Sequence, residues 1–198
     1  MKIGIVTFVK CDNYGAELQA YALQKKLNLL GYDAEVINIE KEKGVLESSF
    51  RSYRDAIINR YKRYGLIKGT MKVAELVKGK YDTRKAFVAN SEKVEERHKI
   101  FEAFFDTYIK HSDQFYTLED MRQIQKLPYD VMIAGSDQIW NFMQTRYLDV
   151  FFLMMANRWN ARKISYAASF SVSRIPNGKK AMYKQYLENM DAISVREI

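Results

Sequence analysis

The sequence predicts an α/β domain built on a doubly wound parallel sheet. Short apolar runs alternate with amphipathic helical segments along most of the chain. The chain opens with strand, helix and strand, a unit that joins parallel strands through a right-handed crossover. Buried-strand patterns then recur at 129–134 and at about 162–168.

The opening unit is predicted from its apolar spacing. Residues 3–9 predict a buried strand, and residues 34–39 predict a second strand. Residues 16–30 predict a helix, because apolar side chains recur at alternating spacings of four and three. Gly31 is placed as the C-terminal cap of that helix.

Residues 41–91 predict a helical insertion between strands of the sheet. The segment is rich in Lys, Arg and Tyr and poor in strand signals. Its tyrosines and cations suit stacking on nucleic acid or contact with anionic lipid. The favoured alternative is a solvated helix whose tyrosines pack inward.

The remaining elements complete the alternation. Residues 92–109 predict a helix with one apolar stripe, and Thr117 followed by acidic residues indicates another helix start. Residues 178–189 predict a helix, and residues 192–195 predict the last strand. The stripe is formed by Val94, His98, Phe101, Phe105 and Tyr108.

Composition limits the class of protein. The chain has 198 residues, of which 47% are hydrophobic and 28% charged, as expected for one globular domain. A net charge of +8 favours anionic partners: nucleic acid, phosphorylated small molecules, acidic glycans or anionic lipid. The single cysteine, Cys11, excludes an intrachain disulfide and suits a reducing compartment. No segment approaches the roughly 20 apolar residues that span a bilayer.

Four polar clusters stand directly after predicted strands. Because the carboxyl ends of parallel strands share one edge of the sheet, we expect these clusters to line a common ligand-binding crevice. Gly15 permits close approach to the free N–H groups at a helix start, and Ser136 and Asp137 suit hydrogen bonds to hydroxyls. Trp140 has two possible roles, stacking on a sugar face or filling the core. The clusters are residues 12–15, 135–140, 169–171 and 196–197.

Several common sites are absent from the sequence. The first strand is not followed by G-x-G-x-x-G, and no G-x-x-x-x-G-K-[ST] motif occurs, which argues against nicotinamide and P-loop nucleotide sites. No Cys/His cluster has metal-ligand spacing, so we expect no metal. No motif pairs Cys11 with a general base, which argues against a role for it as a nucleophile.

The strand-end clusters resemble the N-terminal half of the polysaccharide pyruvyl transferases in order and spacing. The resemblance covers nearly the whole chain, with residues 41–91 matched by position only. Ser171 stands where that family commonly has glycine. The matching motifs are Asn13-Tyr14-Gly15-Ala16 with residues 18–23, Gly135-Ser136-Asp137-Gln138 with Trp140-Asn141, residues 164–170, and residues 193–197.

The resemblance implies a GT-B-like fold, in which two Rossmann-like domains face a cleft. It implies transfer of a pyruvyl group from phosphoenolpyruvate, as donor substrate, to sugar hydroxyls of a cell-surface glycan or its lipid-linked form. No other cofactor is implied. The reaction would take place in the cytoplasm, including the inner face of the membrane.

The resemblance also suggests roles for the site residues. Asp137 is the candidate for binding or deprotonating a sugar hydroxyl, and Arg196 is the candidate anion contact. The expected substrate contacts are Asn13, Tyr14, Gly15, Gln19, Ser136, Gln138, Trp140 and Ser169.

The family usually continues into a second domain beyond the point where this sequence stops, at Ile198. The expectation is therefore a single acceptor-side domain over 1–198 with little or no activity alone. Self-association, or a chain that supplies the C-terminal domain, would then cover its domain-facing surface. The alternatives are a truncated, non-catalytic glycan-binding or assembly module and, less favoured, a nucleic-acid binder acting through the basic insertion.

Overall fold

The computed structural model describes residues 1–39, 70, 71, 74, 91–143 and 147–196. The chain divides into two compact units. The first is formed by residues 1–42 with 100–198, and the second by residues 43–99. The helical insertion predicted at 41–91 therefore lies almost entirely outside the described residues. The sheet lies in the first of these two units.

Four parallel strands form one sheet in the order β2-β1-β3-β4. This arrangement confirms the predicted parallel α/β sheet. Within it, Ile3 lies between Ala34 of β2 and Val131 of β3. The strands are β1 (Lys2–Val6), β2 (Asp33–Val36), β3 (Val131–Gly135) and β4 (Arg162–Tyr166).

Both faces of the sheet are covered, as a doubly wound fold requires. Successive side chains of a strand point to opposite faces, so Ile3 and Ile5 enter one apolar cluster while Val6 enters the other. β3 alternates in the same way, with Ile133 in the first cluster and Met132 in the second. Burial on both faces explains why these strands are continuous apolar runs.

Residues 1–39, 91–143 and 147–196 contain five α-helices and one 3₁₀ helix. The short helices after β3 were not predicted, because each is too brief to show a helical period. The helices are α1 (Tyr14–Leu29), α2 (Ser91–Tyr108), α3 (Leu118–Gln123), α4 (Leu148–Phe151), the 3₁₀ helix (Met154–Arg158) and α5 (Asn177–Glu188).

Hydrogen bonds confirm the predicted helix ends at Gly31 and Thr117, whereas α1 begins at Tyr14, two residues before its predicted start. Asn13 caps α1, and Thr117 forms a capping box with Asp120 at the start of α3. Gly31 has a φ of +86°, and its N–H donates to the carbonyl of Asn28. The next N–H, of Tyr32, donates to Leu27, which completes a Schellman motif.

The apolar stripe of α2 needs one correction. Phe101 and Phe105 are buried as predicted, but Tyr108 is 59% exposed. The stripe continues at a spacing of four to Ile109, just beyond the helix, which is 2% exposed. Tyr108 instead rests against the ring of Phe104, with the ring centroids 5.1 Å apart.

The last predicted strand is only partly formed. Residues 192–195 run parallel to β4 through two isolated bridges, Ile164 to Ala192 and Ala168 to Val195. Side chains interrupt the ladder between them, because the hydroxyl of Ser165 both accepts from and donates to the backbone of Ser194.

The strand order places the site. Chain order reverses between β1 and β3, which are adjacent in the centre of the sheet. In open parallel sheets, ligands bind outside the carboxyl ends of the strands at such a switch point. The loops that follow Val6 and Gly135 flank it.

No helix in the described ranges has the length and apolar content needed to cross a bilayer.

Candidate functional site

The loop between β1 and α1 contributes Asn13 through a helix cap. The side-chain oxygen of Asn13 accepts hydrogen bonds from the N–H groups of Gly15 (2.8 Å) and Ala16 (3.4 Å). Asn13 and Gly15 are both exposed. The amide nitrogen of Asn13 and the positive end of α1 therefore lie at the sheet edge where a polar ligand would bind.

Tyr14 and Gln19 extend this part of the site along α1. The ring of Tyr14 is 69% exposed and rests on Phe101, with centroids 4.8 Å apart. The amide nitrogen of Gln19 donates to the hydroxyl of Thr7 and to the carbonyl of Ala16, both at 2.9 Å. Its buried carbonyl oxygen accepts no hydrogen bond from the residues described, so Gln19 retains an unused acceptor.

The loop after β3 presents Ser136, Asp137 and Gln138, all half-buried. One carboxylate oxygen of Asp137 accepts from the N–H of Gln138 at 2.7 Å. The main-chain carbonyl of Asp137 accepts from the N–H of Ser169 at 2.9 Å. The β3 loop is thereby joined to the β4 loop.

Trp140 lies in the core. Its side chain is 0% exposed, and the indole N–H donates to the carbonyl of Phe151 at 3.0 Å. The ring stacks on Phe152, with centroids 4.4 Å apart. The hydroxyl of Tyr183 donates to the main-chain carbonyl of Trp140, and burial raises the pKa of Tyr183 to about 12. Since the indole has no exposed face, Trp140 fills the core and offers no surface on which a sugar could stack.

Ser169 joins the two remaining parts of the site. It is 0% exposed, and its hydroxyl oxygen accepts from the N–H of Ser171 and from the guanidinium of Arg196, both at 3.0 Å. The N–H of Arg196 also donates to the carbonyl of Ala168. Ser169 is therefore placed to orient Arg196, whose side chain is exposed at the sheet edge.

Strained backbone is concentrated in the loops after β1 and β4. A positive φ is found at Lys10 (56°) and Asp12 (51°) in the first loop, and at Ala167 (49°) and Ser171 (51°) after β4. A left-handed conformation costs a residue other than glycine roughly 1–2 kcal/mol. Such strain tends to occur at functional sites.

Ser171→Gly is expected to stabilise the domain by about 0.5–1 kcal/mol. The change removes the left-handed strain but gives the unfolded chain more freedom, which offsets part of the gain. The midpoint of urea-induced unfolding measures the effect. Ser173→Gly is the control, because Ser173 does not have a positive φ, and it should be slightly destabilising. Equal shifts for the two variants would contradict strain at Ser171.

Glu17 is a site residue that sequence reasoning missed. It lies in the first turn of α1, yet it is 1% exposed. One carboxylate oxygen accepts from the N–H of Cys11 at 3.3 Å. A signal was present, because Glu17 falls on the buried stripe of α1 together with Ala20 and Gln24. Acidic residues are rarely buried without a partner.

Among the described residues, no group of three or more His, Cys, Asp or Glu side chains is arranged to hold a metal ion.

Comparison with protein families identifies the family of the chain. The family model described as polysaccharide pyruvyl transferase matches residues 13–198. Neither a curated protein nor a solved structure matches the chain. The matched range contains each of the strand-end clusters apart from residue 12.

Proposed function

This chain belongs to the polysaccharide pyruvyl transferase family, and on that basis we propose that it is the acceptor-side domain of a GT-B-like pyruvyl transferase. The donor would be phosphoenolpyruvate, and the acceptor would be the hydroxyl groups of a cell-surface glycan. The chain would act in the cytoplasm, and a lipid-linked acceptor would bring it to the inner face of the membrane.

One observation supports this proposal most strongly: the family motifs lie together at the carboxyl edge of the sheet. The Asn13 loop follows β1 and the Asp137 loop follows β3, on either side of the switch point. Ser169 then ties the Asp137 loop to Arg196 through hydrogen bonds of 2.9 and 3.0 Å. Residues far apart in sequence thus follow strands at the same edge of the sheet, and they include a carboxylate, a guanidinium and amide groups.

These groups suit the steps of ketal formation. A sugar hydroxyl adds to carbon 2 of phosphoenolpyruvate and loses a proton, while carbon 3 gains one. A second hydroxyl then displaces inorganic phosphate, which leaves with the proton of that hydroxyl. Asp137 would accept a hydroxyl proton, while Ser136 and Gln138 would orient the sugar. Arg196 would contact the phosphate or carboxylate of the donor, since a guanidinium binds such oxyanions well. A C-terminal domain would supply the other donor contacts.

The proposal predicts specific effects on glycan binding. Asp137→Asn should weaken binding of an acceptor oligosaccharide by about tenfold, because a hydrogen bond to a charged group is lost. Arg196→Gln should leave affinity for a neutral oligosaccharide nearly unchanged but weaken binding of phosphoenolpyruvate. Isothermal titration calorimetry with both ligands measures these changes.

Arg174→Gln is the matched control, since Arg174 is exposed beyond the β4 loop. Failure of the wild-type chain to bind any oligosaccharide, or equal losses in the control, would contradict an acceptor site here. Transfer is assayed by the acid-labile pyruvyl ketal on the glycan, with a family C-terminal domain supplied in trans. Glycan binding without transfer in that assay would favour the non-catalytic binding module.

A further inference from the structure

Glu17 differs from the other deeply buried glutamate of the sheet region. Glu35 is 7% exposed, and its carboxylate accepts from the hydroxyl of Tyr129 at 2.7 Å and pairs with Lys2 at 3.0 Å. Glu17 is more deeply buried but forms no ion pair with any residue that the structure describes. Its second carboxylate oxygen is buried and accepts no hydrogen bond from those residues. A buried carboxyl of this kind is costly unless it has a specific role.

The bonded oxygen of Glu17 acts on the strained loop before α1. It accepts the N–H of Cys11, and the backbone of Lys10 also favours the charged form of the carboxyl group. Lys10 and Asp12, on either side of Cys11, both have left-handed backbone conformations. Such conformations persist only where surrounding contacts fix them. Asn13, the cap of α1 and a family motif residue, comes directly after this loop.

We propose that Glu17 is a positioning residue of the acceptor site: its carboxyl group fixes the backbone of Lys10 and Cys11 so that Asn13 and the first turn of α1 meet the glycan in one orientation. That the ligand is a glycan rests on the proposed function. The positioning itself rests on the contacts around Glu17.

Ionisation of Glu17 should loosen the loop. Burial raises the pKa of the carboxyl group, and the negative charge of Asp12 acts in the same direction. Hydrogen bonds from the backbone of Cys11 and Lys10, and the charge of Lys10, act the other way but do not reverse the shift. At low pH the neutral carboxyl group stabilises the closed loop. This stabilisation is therefore lost as the pH rises through the raised pKa of Glu17. Opening the loop would let the ionised carboxylate reach water.

Cys11 provides a reporter inside this loop. It is the only cysteine of the chain and is half-buried, with its thiol donating to the carbonyl of Val9 at 3.2 Å. Cys11 is labelled with a neutral thiol reagent, and its rate is divided by the rate for the urea-unfolded chain at the same pH. This ratio measures the protection of Cys11 by the closed loop. The ratio corrects for the pH dependence of an exposed thiol.

The experiment compares the wild-type chain, Glu17→Gln, Glu17→Ala and the control Glu119→Ala between pH 5 and pH 8. Glu119 is also in the first turn of a helix but is exposed. We expect Glu17→Ala to label about tenfold faster at pH 7, because the loop loses its acceptor. Glu17→Gln keeps a neutral acceptor and should stay protected at every pH, whereas wild-type protection should fall as the pH rises.

Glycan affinity gives a second readout. Glu17→Ala should weaken oligosaccharide binding, whereas Glu17→Gln should bind like the wild-type chain, as a positioning role requires. Unchanged labelling in Glu17→Ala, or a wild-type pH dependence that persists in Glu17→Gln, would overturn the proposal. If Glu17→Ala does not fold, the pH comparison with Glu17→Gln decides. Because labelling needs neither glycan nor phosphoenolpyruvate, failure of the proposed function would be seen separately.

Discussion

Trp140→Ala is expected to destabilise the domain by about 3–5 kcal/mol, the usual cost of removing a large aromatic side chain from a core. The indole is fully buried, stacks on Phe152 and donates to the carbonyl of Phe151. The loss is a large fraction of the roughly 5–15 kcal/mol that stabilises a typical domain. Urea-induced unfolding followed by circular dichroism measures it.

Two phenylalanine variants separate packing from hydrogen bonding. Trp140→Phe keeps an aromatic ring but leaves the carbonyl of Phe151 without its donor, so a loss of about 1–2 kcal/mol is expected. Trp159→Phe is the matched control, because the buried N–H of Trp159 makes no hydrogen bond to the described residues. It should be neutral or stabilising. If Trp140→Ala had the stability of the wild-type chain but no longer bound glycan, Trp140 would instead contact the sugar.

Gly135→Ala is expected to destabilise the domain by about 2–3 kcal/mol and to disturb the site. A Cβ atom on Gly135 would lie 2.5 Å from the carbonyl oxygen of Tyr166, its partner in the ladder between β3 and β4. Both groups belong to the backbone, so the two strands would have to separate where the Asp137 and Ser169 loops begin. Unfolding in urea and oligosaccharide binding should therefore both change.

Gly178→Ala provides the comparison for this change. Gly178 lies at the start of α5, and a Cβ there would meet nothing within 4 Å. Because alanine is a better helix former than glycine, this variant should gain up to about 1 kcal/mol. Equal stability of the Gly135→Ala and Gly178→Ala variants would show that the contact with Tyr166 is not limiting.

Much of the fold was predictable because its signals are local. The apolar runs at β1 and β3 and the caps at Gly31 and Thr117 each depend on neighbouring residues. The structure confirmed the parallel sheet and these helix ends. The strand ends were less predictable: β1 stops at Val6, although the predicted strand extends to residue 9.

The site was predictable at the level of position but not of side-chain contacts. The rule that ligands bind at strand ends placed Asp137, Ser169 and Arg196 together. It could not show that the hydroxyl of Ser169 is buried against Arg196, since that contact depends on the final packing of two loops. Trp140 was ambiguous for the same reason, and the burial of Glu17 depends on how the first loop folds back over α1.

The partly formed strand at 192–195 affects how copies of this chain can meet. Open sheet edges with free N–H and C=O groups invite strand-to-strand aggregation. Here the β4 edge is occupied by a segment that pairs at only two points. The β2 edge is occupied by residues 110–116, which bond to Val36 and Asn38. Neither edge of the described sheet therefore offers a long regular template for pairing with the sheet of another copy.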